Sequence, residues 1–263
     1  MKPTTINICL LFCTLILCNC TAKTPAKIVI VTDFGDIELE LYDKTLQHRD
    51  NFIKLVKEGY YDGTLFHRVI KQFMIQGGDP NSKNAQPGAP LGSGGPNYTI
   101  PAEFVPEYIH QRGALAAART GNPAKASSGS QFYIVQGKTF TDEELDQIEV
   151  QVSGKKVQPI FFQYIKEEED AMQKAGQTVD PKLAQEKAIQ RATAYMQENP
   201  YHMKAEVREM YKTIGGSPHL DGEYTVFGRV IKGMEIVDKI ADMETVNERP
   251  TVDVKIKKMR IVY

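Results

Sequence analysis

The chain has 263 residues, a formal net charge of −1 and 41% hydrophobic residues. That length admits one large domain or two small ones, and the near-neutral balance excludes the broadly basic surface that nucleic acid requires. All four cysteines, Cys9, Cys13, Cys18 and Cys20, precede Thr21, which excludes a disulfide framework for the rest of the chain.

The N-terminal segment carries one basic residue, Lys2, and continues into an apolar run from Ile8 to Leu17. The run is short for a membrane span and suits the core of a secretory signal peptide over residues 1–19. Leu17-Cys18-Asn19-Cys20 resembles a bacterial lipobox. That implies lipid on Cys20 and a mature chain anchored to a membrane, facing the periplasm of a bacterial envelope. Asn19 departs from the glycine, alanine or serine usual at its place, so signal cleavage without lipid stays open as the alternative. Residues 20–26 are polar and short, as a tether needs. With Cys20 lipidated, the body has no free thiol, which suits an oxidising compartment.

Lys27-Ile28-Val29-Ile30-Val31-Thr32 and Ile37-Glu38-Leu39-Glu40-Leu41-Tyr42 are strand signals joined by the turn Asp33-Phe34-Gly35-Asp36. Apolar residues alternate in the second, so the pair forms a hairpin with one buried face. Phe52, Leu55 and Val56 then fall at helical spacing ahead of Gly59, which predicts an amphipathic helix over residues 46–58. Residues 66–79 read as two consecutive short strands that end in the glycine pair Gly77-Gly78, and 80–93 as an exposed loop rich in glycine and proline. No Lys-Ser or Lys-Thr follows Gly94-Gly95, which excludes a phosphate loop. Near the end, a helix over 234–241 precedes a strand over 251–262 with alternating Val252, Val254 and Ile256.

Residues 141–213 have a helical pattern throughout. Thr141 and Glu144 have capping-box spacing, Asp180-Pro181 is a cap followed by a first-turn proline, and Asn199-Pro200 is a stop. Phe161, Ile165 and Met172 share one face, as do Ala184, Ala188, Ala192, Tyr195 and Met196. The acidic run Glu167-Glu168-Glu169-Asp170 reads as a solvated face.

The segment that carries chemistry is Phe66-His67-Arg68-Val69-Ile70-Lys71-Gln72-Phe73-Met74-Ile75-Gln76-Gly77-Gly78-Asp79. It sets Arg68 among apolar strand residues, where a guanidinium is costly to desolvate without a partner. Gly94-Gly95-Pro96-Asn97-Tyr98-Thr99-Ile100-Pro101-Ala102-Glu103-Phe104, the run from His110 to Arg119, Ser128 to Ile134, and Leu220 to Val230 follow in order. Together these blocks resemble the cyclophilins, the peptidyl-prolyl cis-trans isomerases of that type.

The resemblance covers residues 27–263 and implies a mainly β fold, a closed eight-stranded antiparallel barrel capped by two α-helices. Here the barrel sequence is interrupted by a helical insert at about 141–213. The resemblance also implies that Arg68 is catalytic and that Phe73, Met74, Tyr133 and Leu220 line a proline pocket. Gln76, Gln131 and the backbone at Ala118 and Arg119 would grip the peptide. At the matched positions Tyr133 replaces phenylalanine, Arg119 asparagine, His219 tryptophan and Tyr224 histidine. Loss of the tryptophan bears on cyclosporin binding more than on turnover.

Rotation about an Xaa-Pro bond needs no cofactor, only a lower barrier than the uncatalysed ~18–20 kcal/mol. In the twisted amide the proline nitrogen gains a usable lone pair, and a rigid donor aimed at it favours the transition state over both planar isomers. One charge-assisted hydrogen bond contributes about 1.5–3 kcal/mol, so Arg68 needs help from positioning and a preorganised field. No histidine stands at metal-ligand spacing from a second ligand, and no metal is expected. His67, on the opposite strand face from Arg68, reads as structural.

The expected function is therefore isomerisation of proline-containing peptides and assistance to the folding of exported proteins. The alternative is a non-catalytic module that binds proline peptides or partners through the helical insert. A hydrolase using Ser128 or Ser130 lacks a nearby histidine base, and glycine-flanked serines are turn residues.

Overall fold

The computed structural model describes residues 25–262. The expected signal peptide, Cys20 and most of the tether lie outside the described residues.

In chain order the strands are β1 Lys27–Thr32, β2 Asp36–Leu41, β3 Arg68–Ile70, β4 Met74–Gly77, β5 Thr99–Ile100, β6 Ala114–Ala117, β7 Ser127–Ser128, β8 Phe132–Val135, β9 Val226–Lys232, β10 Thr245–Val246, β11 Arg249–Pro250 and β12 Ile256–Val262. The helices are α1 Leu46–Lys57, α2 Asp142–Lys174, α3 Pro181–Glu198, α4 Ala205–Thr213 and α5 Met234–Ala241. Eight strands form one antiparallel sheet in the order β12, β1, β2, β9, β6, β8, β4, β3.

The sheet curls into an open half-barrel rather than the closed barrel expected. Its edges β3 and β12 share no ladder; the segment ahead of β3 spans the gap, with a bridge from Leu65 to Lys255, Gly63 N donating to Ile256 O and Ile256 N to Thr64 O, both at 2.8 Å, and Phe66 N to Val254 O at 2.9 Å. The outer edge of β3 is satisfied elsewhere, because Val69 N donates to Glu248 O at 2.7 Å. The last strand begins at Ile256 and not at residue 251. Its partner β1 ends where Thr32 meets Ile256 and the chain turns at Gly35, so Val254 and Lys255 lie beyond β1 and meet only the short segment at Leu65 and Phe66.

Both faces of the central strands are buried, and the two-residue period sorts their side chains between two apolar clusters. Leu115, Ala117, Phe132, Ile134 and Ile75 join the main core with Ile28, Ile30, Ile37 and Leu39. Helix α1 contributes Phe52, Leu55 and Val56 to it, and α5 contributes Ile236, Val237 and Ile240. The alternate residues Met74, Ala114, Ala116, Tyr133 and Val135 point to the other face, where Ala118, Leu220 and Val226 meet them. That second cluster underlies the site.

The segment between Lys138 and Gly216 leaves and re-enters the sheet at one point, since Gly216 N donates to Lys138 O at 2.9 Å. The crossing needs glycine. Gly137 has φ +67°, and a Cβ there would lie 2.5 Å from Gly216 Cα. Within the segment Thr141 and Glu144 make the capping box, and the Asp180 carboxylate caps Lys182 and Leu183. Helices α2 and α3 pack as a hairpin through buried Ala184, Ala188, Ala192 and Met172. The acidic run is partly committed to that hairpin, because Glu167 and Glu168 pair with Arg191.

Candidate active site

A groove of about 950 Å³ opens over the second cluster. At one end Phe73, Met74, Ala118, Tyr133, Leu220 and Tyr224 line an apolar pocket. Ladder register places these side chains: Gln76 on β4 stands opposite Arg68 on β3 and Tyr133 on β8, and Tyr133 opposite Ala116 on β6. Arg68 and Gln76 add polar groups to the same groove, which is also walled by the 87–92 loop and the stretch from Val246 to Asp253, so the loop expected to be an exposed excursion is part of the groove wall.

Arg68 is not sunk among apolar residues as the sequence suggests. Its position on an edge strand leaves the side chain 40% exposed, and the protein itself supplies partners. Nε donates to Glu248 Oε2 at 2.6 Å and Nη1 to Gln76 Oε1 at 3.3 Å. Gln76 Nε2 donates to Gln131 Oε1 at 3.0 Å, and Gln131 Nε2 donates to the carbonyls of Gly92 and Gly94, both at 2.8 Å. Gln131 thus stands behind Gln76 as its support and is buried.

The pocket floor is tied to a buried polar chain. The Tyr133 hydroxyl lies 3.0 Å from His110 Nε2, and His110 Nδ1 lies 2.9 Å from Asp221 Oδ1. A carboxylate only accepts, so Nδ1 donates to Asp221, and in the neutral tautomer that leaves Nε2 to accept from the tyrosine. Burial first, then nearby Tyr224 and Asp221, push the Tyr133 hydroxyl well above the usual phenol range. It remains a neutral donor.

Arg119 lines the groove, with its side chain tied to the groove wall. Nε donates to Glu223 O at 2.8 Å, and the guanidinium covers the Tyr224 ring at 4.7 Å. His219 does not line the groove; its ring packs against Phe73 at a centroid distance of 5.5 Å, and burial lowers its pKa. Of the expected residues, Arg68, Phe73, Met74, Gln76, Ala118, Arg119, Tyr133, Leu220 and Tyr224 therefore share one groove, with Gln131 and His219 one layer behind. Sequence reasoning missed Glu248, His110 and Asp221. Asp221 directly follows Leu220 in a matched block, which was the available signal; Glu248 had none.

The family model described as cyclophilin-type peptidyl-prolyl cis-trans isomerase matches residues 27–194 and 196–261. The chain belongs to that family, and it is an isomerase of that type. A Staphylococcus epidermidis protein named "Putative peptidyl-prolyl cis-trans isomerase" is 30% identical over 89% of this chain and 91% of its own length. A Streptococcus pyogenes protein named "Putative bifunctional phosphatase/peptidyl-prolyl cis-trans isomerase" is also 30% identical, but this chain spans only 39% of it. A Cryptosporidium parvum cyclophilin-type isomerase has the same fold, with a TM-score of 0.55 at 22% identity over 91% of this chain and 98% of its own.

Proposed function

We propose that this groove binds an Xaa-Pro segment with the proline ring over Met74, Tyr133 and Leu220 and that Arg68 drives rotation of the preceding bond. The observation that carries the reading is the guanidinium beside the apolar pocket, held by Glu248 through Nε and Gln76 through Nη1, with no acceptor on Nη2 among the described residues. In the twisted amide the ring nitrogen becomes an acceptor, and a charged donor fixed beside it stabilises that state selectively. The apolar walls hold the ring while the acyl side turns, so part of the barrier is met by positioning. One solved structure of the C. parvum isomerase was determined with the dipeptide Ala-Pro, which is the smallest ligand of this class.

We read residues 27–263 as one domain interrupted at about 141–213, and we place it behind a lipid anchor at Cys20 on the periplasmic side of a bacterial envelope. Exported, unfolded proteins are the clients that such a position would supply. The observation favouring a second, binding-only contribution is a shallow apolar groove between α2 and α3, formed by Val157, Phe161, Ile189 and Met196. The test is cis-trans exchange spectroscopy on a short Xaa-Pro peptide with the purified soluble body. Accelerated exchange is the expected result; binding without acceleration would leave only the binding module.

A further inference from the structure

Strands β10 and β11 form a hairpin whose two turn residues, Asn247 and Glu248, both adopt positive φ, +50° and +65°. Asparagine is a favoured residue in such a turn, but the second place usually falls to glycine, and a residue with a Cβ is disfavoured there. Glu248 nonetheless occupies it, and both ends of this residue bind the edge strand β3. Its carbonyl accepts from Val69 N at 2.7 Å, and its carboxylate accepts from Arg68 Nε at 2.6 Å.

The hairpin is itself anchored. Arg249 donates to Ala89 O at 2.7 Å and to Asp253 Oδ1 at 3.1 Å. Glu248 is thus presented to Arg68 from a fixed support that is independent of the Gln76 and Gln131 chain on the opposite side of the guanidinium.

We propose that Glu248 is a positioning residue for the isomerase reaction, holding Arg68 by Nε so that its Nη edge faces the proline pocket. An arginine side chain on an edge strand has several rotatable bonds, and a single long contact to Gln76 leaves its plane free to swing. A second acceptor on Nε fixes the plane. The pair is half exposed on both sides, so its loss should cost little stability. Its effect belongs to the orientation of the donor.

The proposal rests on the reading that Arg68 is the catalytic donor, and a double-mutant cycle separates the two. Exchange kinetics on one proline peptide would be measured for wild type, Glu248→Ala, Glu248→Gln, Arg68→Ala and the Arg68→Ala/Glu248→Ala double variant, each with its melting temperature. Glu248→Ala is expected to lower kcat about tenfold with KM moved less than about threefold and melting nearly unchanged. Glu248→Gln, which keeps an acceptor, should recover most of that loss, and Glu248→Ala should have no further effect once Arg68 is gone. Equal losses from Glu248→Ala with and without Arg68, or a gain in kcat, would overturn the positioning role. An Arg68→Ala variant with wild-type rates would instead overturn the catalytic reading on which it rests.

Discussion

Tyr211 donates its hydroxyl to Asp221 Oδ2 at 2.6 Å, which links helix α4 to the carboxylate that orients His110 beneath the apolar pocket. Tyr211 is fully buried and packs with Ile109, Leu145, Ile148 and Met203. The late part of the helical segment is therefore built into the body that carries the site.

Tyr211→Phe removes one donor and leaves a partly buried carboxylate oxygen short of a partner. A hydrogen bond to a charged group contributes about 1.5–3 kcal/mol, and a loss of that order is expected in denaturant unfolding. Because His110 then holds Tyr133 less firmly, peptide isomerase activity should fall several-fold. Unchanged activity with reduced stability would confine the chain of hydrogen bonds to a structural role.

Arg68→Ala should lower kcat/KM for a proline peptide at least about a hundredfold, some 2.7 kcal/mol of transition-state stabilisation. Circular dichroism and melting should be close to wild type, since the side chain is 40% exposed and its ion pair lies at the surface.

The distal hairpin should be separable from catalysis. Tyr201 N donates to Ser153 Oγ at 3.0 Å, so the chain passes close to itself there, and residues 155–199 can be replaced by a short Gly-Ser linker. Peptide isomerase activity should stay within about threefold, while the rate of refolding of a large proline-limited client should drop. Replacing all of 141–213 removes Tyr211 as well and should cost far more. Comparison of both variants on both substrates checks the division.

His67 is buried, neither ring nitrogen has a hydrogen-bond partner among the described residues, and burial lowers its pKa. In the unfolded chain a histidine binds its proton near pH 6.5, so below that pH the unfolded state holds more protons than the folded one. Stability from the neutral ring is complete above pH 6.5 and is lost as pH falls toward the depressed folded value. His48 and His219 are depressed in the same direction, also chiefly by burial. Melting temperature should therefore decline between pH 7 and pH 5. His67→Leu should make that decline shallower while costing little at pH 7, because no hydrogen bond is broken.

Cys20 should carry lipid when the full precursor is made in a bacterial host. Metabolic labelling with a clickable fatty acid should mark the wild type and not Cys20→Ser, and the variant should leave the membrane fraction. An unlabelled wild type would indicate cleavage without lipidation.

What was legible in the sequence is what neighbouring residues decide among themselves. The alternation in Ile37 to Leu41, the helix spacing of Phe52, Leu55 and Val56, the Thr141 and Glu144 capping box and the Asp180-Pro181 start are all set within a few residues, and each stands in the structure where the pattern put it. The ordered blocks also named the groove residues, because strand period and register then carry Met74, Gln76 and Tyr133 to one face. Only the tertiary structure decided the contacts between distant parts of the chain. Glu103, remote from α1, accepts from the Gln47 and His48 amides and caps that helix; Glu248 reaches Arg68 across 180 positions; Tyr211 reaches the pocket through Asp221 and His110. The open sheet belongs with these. Whether β3 meets β12 depends on where β1 turns and on which backbone group claims Val69 N, a competition between partners that local propensity does not encode.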